Sequence, residues 1–318
     1  AFGPLLGELG CGMAKVNLSW NNLEPNKGVY DWSLLDEAVK QSEEMDLLIG
    51  LRTNSSWGTV SGEAFGRPLV DQPAYYDMIF CMVSRAPGVK YWQNDCEPHN
   101  DKYWSGGPEE FVTALRTFYA AVKAANPDAQ VVLGGHNGNI IEGLPSNHQF
   151  YDYVFQNGGD CFDLFDVRLY DSPYTIENRV SWFRNRLAQY GLGDKPIVST
   201  EYVGPKPQQF PENRPYIEDI NAQLYMGTPV EDIYDQLLAD MGSLPPQMQM
   251  FLNGCDPELE ARRYRIQIRD MNIRTILAMS AGVTRLYLWV LLARPVFEED
   301  LMHPVFSHLR LSDESLMT

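Results

Sequence analysis

Short apolar runs alternate with longer amphipathic stretches along most of the chain. Residues 13–19, 47–52, 89–94, 130–133, 162–170, 196–200 and 284–290 read as strands. Each is a brief apolar run, as expected of a strand covered on both faces. Between them, helical spacing predicts helices at 31–45, 75–83, 108–126, 149–156, 176–190 and 258–280. The clearest is the third. Pro108 sits in its first turn, Glu109 and Glu110 complement the N-terminal dipole, and Phe111, Ala114, Leu115, Phe118 and Val122 repeat at helical spacing before Asn126 and Pro127 end it. In the first, Asp31 or Ser33 can serve as the cap, with Leu34, Leu35, Ala38 and Val39 as the apolar face.

Strict β/α alternation argues for a parallel sheet joined by right-handed crossovers, and at this length for a (β/α)8 TIM barrel. The 318 residues fit one domain of that kind. Seven strands are predicted, one fewer than a closed barrel needs. Residues 1–10 look like the end of a first helix, so the missing strand is expected before Ala1, and residues 306–318 look like an unfinished last helix. The stretch 204–257, rich in Pro, Gln, Tyr and Met, is too long for an ordinary turn. It is expected to be a functional wall on the rim.

Composition narrows the partners. The net charge of -17 repels nucleic-acid phosphates and anionic membranes, and no run of eighteen or more apolar residues predicts a membrane span. Solubility alone also explains such a charge. The five cysteines, at 11, 81, 96, 161 and 255, show no C-x-x-C pair, which argues against a zinc knuckle or a disulfide framework. No H-E-x-x-H, H-x-H, EF-hand, phosphate-loop or dinucleotide motif occurs, so no metal or cofactor is expected.

Two strands end in a glutamate: 89–94 leads to Glu97, and 196–200 leads to Glu201. Barrel enzymes keep catalytic groups at this carboxyl rim, and two carboxylates meeting there can perform retaining glycoside hydrolysis. For either residue alone a loop glutamate in a surface ion pair is an equal alternative. Their shared place in the repeat frame favours the pair.

Further segments carry a resemblance. The stretch from Trp20 to Val39 contains W-x-x-x-E-P-x-x-G-x-Y-x-W followed by D-x-x-V, residues 92–98 resemble W-x-x-x-N-E-P in all but one position, residues 196–202 follow P-I-x-x-T-E-Y, and residues 286–289 end in tryptophan. In these the chain resembles the clan A glycoside hydrolases, nearest to families 39, 42 and 5, with gaps from about residue 12 to residue 290. The resemblance implies a retaining enzyme acting on β-linked glycosides or oligosaccharides. It implies Glu97 as acid/base, Glu201 as nucleophile, Tyr170 as a hydrogen-bond partner of the nucleophile and Trp289 as the floor of the sugar site.

One position departs from the pattern. Where the clan has an asparagine before the acid/base, this chain has Cys96. A thiol is a weak donor. Three explanations stand open: Asn94, two residues back, reaches in; the sugar differs at its 2-position; or catalysis is impaired. Arg52, Trp57, His99 and His136 are further candidates for sugar contact, and Trp20 and Trp104 could stack on a sugar face. For each, a structural role is the plain alternative. The rival readings are a carbohydrate-binding barrel with weak or no turnover and, more remotely, a metal-dependent hydrolase.

Overall fold

The computed structural model describes residues 2–62, 64–136, 145–170 and 172–289. Among these described residues seven strands lie in one sheet in the order of the sequence: β1 (Met13–Ser19), β2 (Asp46–Arg52), β3 (Tyr91–Asn94), β4 (Gln130–His136), β5 (Leu164–Val167), β6 (Ile197–Tyr202) and β7 (Val283–Leu288). Every pairing from β1–β2 to β5–β6 is parallel. Parallel neighbours need a crossover, and helices supply it. Helix α1 (Gly3–Glu8) precedes β1. Helices α2 (Trp20–Leu23) and α3 (Ser33–Gln41) lead to β2, α4 (Gln72–Arg85) to β3, α5 (Pro108–Ala125) to β4, α6 (Pro145–Gly158) to β5 and α7 (Ile176–Gln189) to β6. Before β7 come α8 (Arg214–Tyr225), α9 (Val230–Ala239), α10 (Pro246–Gln249) and α11 (Pro257–Ser280). This is the β/α succession of a TIM barrel. Among the described residues no helix is long and apolar enough to cross a membrane.

The expected elements are present, with shifted ends. Helix α3 starts later and stops earlier than 31–45. Trp32 holds the cap position without a side-chain bond, while Asp31 accepts from the Ser33 N–H at 2.9 Å, just outside the helix. Of its expected face, Leu35 and Ala38 are buried, whereas Leu34 is exposed. All five expected core residues of α5 are fully buried. Residue 290, the last of the expected final strand, and residues 306–318 lie outside the described residues.

The chain divides into two compact units. The first holds Ala1–Arg168, Asn178–Thr200 and Gly282–Tyr287; the second holds Leu169–Glu177, Glu201–Ala281 and Leu288–Thr318.

In the first unit, side chains alternate along each strand. Met13, Leu48, Tyr91, Val132, Leu164, Val198 and Tyr287, one from each strand, pack into a single apolar cluster. Two residues further along, the inward positions turn polar. Lys15 Nζ donates to Thr200 Oγ1 at 2.9 Å. Thr200 donates to the Asp166 carboxylate through its N–H at 2.8 Å and its hydroxyl at 2.6 Å. Gln93 Nε2 adds a third bond to Asp166 at 2.8 Å. Burying a carboxylate is costly unless it is paired and hydrogen-bonded, and Asp166, fully buried, is both.

The second unit contains the stretch 204–257, which is helical. It folds about its own apolar cluster, centred on Val203, Ile233, Met248, Met250 and Phe251, with Tyr170 and Trp289 packed against it. Backbone bonds from Leu169 N to Glu201 O (3.2 Å) and from Trp289 N to Tyr202 O (3.1 Å) tie three strand exits together there.

Candidate active site

Glu97 lies just beyond β3 and is buried, 5% exposed. The turn that places it begins at Asp95, whose φ of 54° is in the left-handed region. Side-chain bonds hold this conformation. The Asp95 carboxyl accepts from the Thr53 N–H at 2.9 Å and lies 2.6 Å from the Thr53 hydroxyl, fastening the end of β3 to the end of β2. Asparagine and aspartate tolerate this backbone region better than most residues, so the N-D-C-E order has a local reason.

The kink also decides what Asn94 does. The expectation that Asn94 shares a face with Cys96 assumes unbroken alternation, and Asp95 breaks it. The Asn94 amide donates to Tyr75 Oη at 3.0 Å and to Thr53 Oγ1 at 3.2 Å, and the residue is fully buried. It anchors α4 and does not reach toward Cys96. Cys96 is instead met by Arg168, whose Nη2 donates to its Sγ at 3.1 Å and to its carbonyl at 3.2 Å. The Arg168 Nε lies 3.9 Å from Glu97 Oε1 and 3.5 Å from Asp166 Oδ2.

Burial raises the Asp95 carboxyl from 3.8 to about 7, against the opposing Thr53 bonds and the Arg52 charge. The folded state therefore binds the proton more tightly than the unfolded chain. Between pH 3.8 and about 7 stability falls as pH rises, and above that the contribution is constant. The expected size is up to about 4 kcal/mol. Asp95→Asn keeps an acceptor for Thr53 N and a donor for its hydroxyl, yet cannot ionise. Chemical unfolding across pH should show the wild type and the variant converging near pH 4, with the variant the more stable at pH 8. Equal pH dependence in both would contradict this.

The first unit also holds four of the expected sugar contacts, Arg52, Trp57, His99 and His136. His136 and His99 stack with centroids 4.2 Å apart and planes 7° from parallel. His136 is 1% exposed, and burial, aided by His99, lowers it to about 2, so it stays neutral. It is a packing residue against Phe183 and Tyr151, which corrects its assignment as a sugar contact. His99 is half-exposed and keeps access. Arg52 lays its guanidinium over Phe65, 4.3 Å from the ring centroid. Trp20 and Trp104 are buried to 0% and 1%, so neither offers a stacking surface. Trp20 Nε1 donates to Glu24 Oε2 at 2.7 Å, and Glu24 accepts from Gly28 N at 2.7 Å, which explains the W-x-x-x-E-P-x-x-G spacing as a structural knot. Trp57 is half-buried, with its indole donating to Glu24 O at 3.1 Å.

In the second unit, Glu201 ends the apolar run of β6 and accepts a 2.6 Å hydrogen bond from the Tyr170 hydroxyl. Tyr170 is placed from behind. Arg274 of α11, fully buried, donates through Nη1 to the carbonyls of Leu169 at 2.9 Å and Tyr170 at 2.8 Å, and pairs with Asp270. Gly204 gives this clamp room, because a Cβ there would lie 2.4 Å from Arg274 Nη2. The Lys206 ammonium sits 4.3 Å above the Tyr170 ring. Trp289 is half-buried beside the same apolar cluster. A hydrogen bond to a charged group contributes about 1.5–3 kcal/mol, so Tyr170→Phe should lower kcat/KM about tenfold to a hundredfold. Its unfolding midpoint should change little, since the ring and its packing remain. Full activity in this variant would remove Tyr170 from the site.

Asp166, Arg168 and Arg274 escape the motif reading. The first two had a signal: in F-D-V-R-L-Y, charged residues alternate with apolar ones inside a run that reads as a buried strand.

Comparison with known proteins follows the same lines. A family model described as beta-galactosidase, glycoside hydrolase family 42, matches residues 4–59. No curated protein matches the chain. Among solved structures, a glucosidase from Croceicoccus marinus superposes with a TM-score of 0.67 at 14% identity, covering 98% of this chain and 60% of its own. A family 39 glycoside hydrolase from Bacteroides cellulosilyticus WH2 gives 0.63 at 15%, covering 99% and 57%. Fungal beta-1,4-galactanases give 0.61 at 11%, covering 99% and 88%. The chain thus spans about 60% of the first of these relatives. The fold is the TIM-barrel fold of these glycosidases.

Proposed function

We propose that the chain is a retaining glycoside hydrolase for β-linked glycosides or oligosaccharides, with Glu201 as nucleophile and Glu97 as acid/base. The Tyr170–Glu201 hydrogen bond of 2.6 Å carries the reading. It holds and orients a buried carboxylate, and a donor in that place is of the kind that stabilises a carboxylate's charged form. Strand direction supports the partnership. β3 and β6 run the same way in one sheet, and barrel enzymes build their sites from residues at the carboxyl ends of such strands.

In the first step Glu201 attacks the anomeric carbon while Glu97 protonates the departing oxygen. In the second, Glu97 as carboxylate takes a proton from water, and that water releases the sugar from Glu201. Retention calls for carboxyl groups about 5–5.5 Å apart, inversion for about 6.5–9.5 Å. His99, Trp57, Arg52 and Trp289 are the proposed sugar contacts, and the helical stretch 204–257 is the proposed wall that sets specificity.

The test is a screen of aryl β-glycosides, followed by NMR of the first-formed anomer from the best substrate. The reading expects the β-anomer first. An α-anomer formed first would exchange the mechanism for inversion. Binding of sugars without turnover would favour the carbohydrate-binding alternative.

A further inference from the structure

We propose that Arg168 is a positioning residue for Glu97, fixing both the orientation of its carboxyl and the pH range over which it can act. The inference rests on the role of Glu97 given above.

Arg168 is fully buried and is held by groups other than Glu97. Its N–H donates to His136 O at 3.0 Å. Its carbonyl accepts from Nη1 of Arg179, itself 5% exposed, at 3.2 Å. Its guanidinium is seated on Cys96 by two contacts and on Asp166 by a third. Asp166 is in turn fixed by Thr200 and Gln93. Glu97 thus faces a cation whose place is set before the carboxyl arrives. The neighbouring strand is cut away to admit the pair. A Cβ on Gly135 would lie 2.4 Å from Asp166 Oδ2 and 2.7 Å from Arg168 Nε, closer than real contacts allow.

A guanidinium stays protonated at any working pH. A fixed cation beside a carboxyl favours its ionised form, and an anion that shares the cation weakens that effect. An acid/base needs both forms in turn, so opposed neighbours of this kind are a means of setting the balance. Other titratable groups packed round the pair within the first unit include Cys96, His99, His136, Tyr151 and Arg179 and, on the Asp166 side, Lys15 and Tyr287. Burial keeps His136 neutral and pushes the Tyr151 phenol well above its ordinary range, so neither changes charge near neutrality.

The experiment is the pH dependence of kcat/KM for the wild type, Arg168→Met, Arg168→Lys and Asp166→Asn, with circular dichroism as the folding check. Activity on the alkaline side requires protonated Glu97. Arg168→Met should move that limb upward by about one pH unit or more. Asp166→Asn should move it downward, and Arg168→Lys should leave it near the wild-type position. Opposite displacements are not produced by a loss of packing. If Arg168→Met does not fold, the downward shift in Asp166→Asn is the deciding reading. Limbs that stay in place while activity drops would overturn the proposal. Glu97→Ala, assayed alongside on a poor leaving group, separates the two claims. Wild-type activity in that variant would refute the role of Glu97 itself, whereas its loss with unmoved limbs would refute only Arg168.

Discussion

Glu201→Gln is expected to lose about four orders of magnitude or more in kcat on every substrate, whatever the leaving group. An amide keeps the shape of the carboxylate and can still meet the Tyr170 hydroxyl, which lies 2.6 Å from Glu201 in the wild type. It has no charge with which to attack the anomeric carbon. The covalent intermediate is never formed, so a better leaving group cannot rescue the variant. Sugar binding should survive, because the half-buried Trp289 and the cluster round Val203 are untouched. Calorimetry that finds unchanged affinity beside abolished turnover is the expected pair of results. Activity equal to wild type would show that Glu201 has no part in the chemistry.

Glu97→Ala is expected to fail differently. With a sugar leaving group, departure needs a proton and the loss should reach about a hundredfold to ten-thousandfold. With dinitrophenolate, which departs without protonation, the first step should stay fast. The second step then lacks its base, so the glycosyl-enzyme accumulates: kcat falls, KM falls with it, and a burst of phenolate equal to the enzyme concentration appears. Azide needs no base and should restore turnover, leaving as a β-glycosyl azide. Removal of the carboxyl leaves Arg168 beside Asp166 at 3.5 Å, so the folded state keeps a partner for the buried cation. A dependence on leaving group identical to that of Glu201→Gln would contradict the division of roles.

Much of the barrel was legible because strands buried on both faces must be apolar throughout. β1 was bounded to the residue, and β2, β6, β7 and α11 to within two at each end that is described. Glutamates at strand ends were legible for the same reason: a charged residue closing an apolar run stands out. Three features were hidden by the same logic. Asn94 was assigned to the site by counting two residues back along a regular strand, and only the left-handed Asp95 breaks that count. The polar layer of Lys15, Gln93, Asp166 and Thr200 depends on side chains from four strands meeting, which no local pattern records. The stretch 204–257 shows little period because Pro205, Pro207, Pro211, Pro215, Pro229, Pro245 and Pro246 cut it into short helical pieces whose apolar faces meet only in the folded unit.

His136 illustrates the limit of reading chemistry from residue type. At the end of β4 a histidine has the right address for a sugar contact, yet its ring is stacked and neutral at the wall of the core. The Trp20–Glu24–Gly28 knot makes the converse point, since a motif shared with glycosidases is explained here by the hydrogen bonds that the Glu24 carboxylate accepts from the Trp20 indole and the Gly28 N–H.

The most direct measurement is peptide mapping by mass spectrometry after reaction with an activated 2-fluoro-β-glycoside of the preferred sugar. This reagent forms the covalent intermediate and slows its release. The account predicts one sugar per chain, attached to the peptide that contains Glu201 and absent from the Glu201→Gln protein. A label on Glu97 or elsewhere, or turnover of the natural substrate with no covalent species and an inverted product, would contradict it.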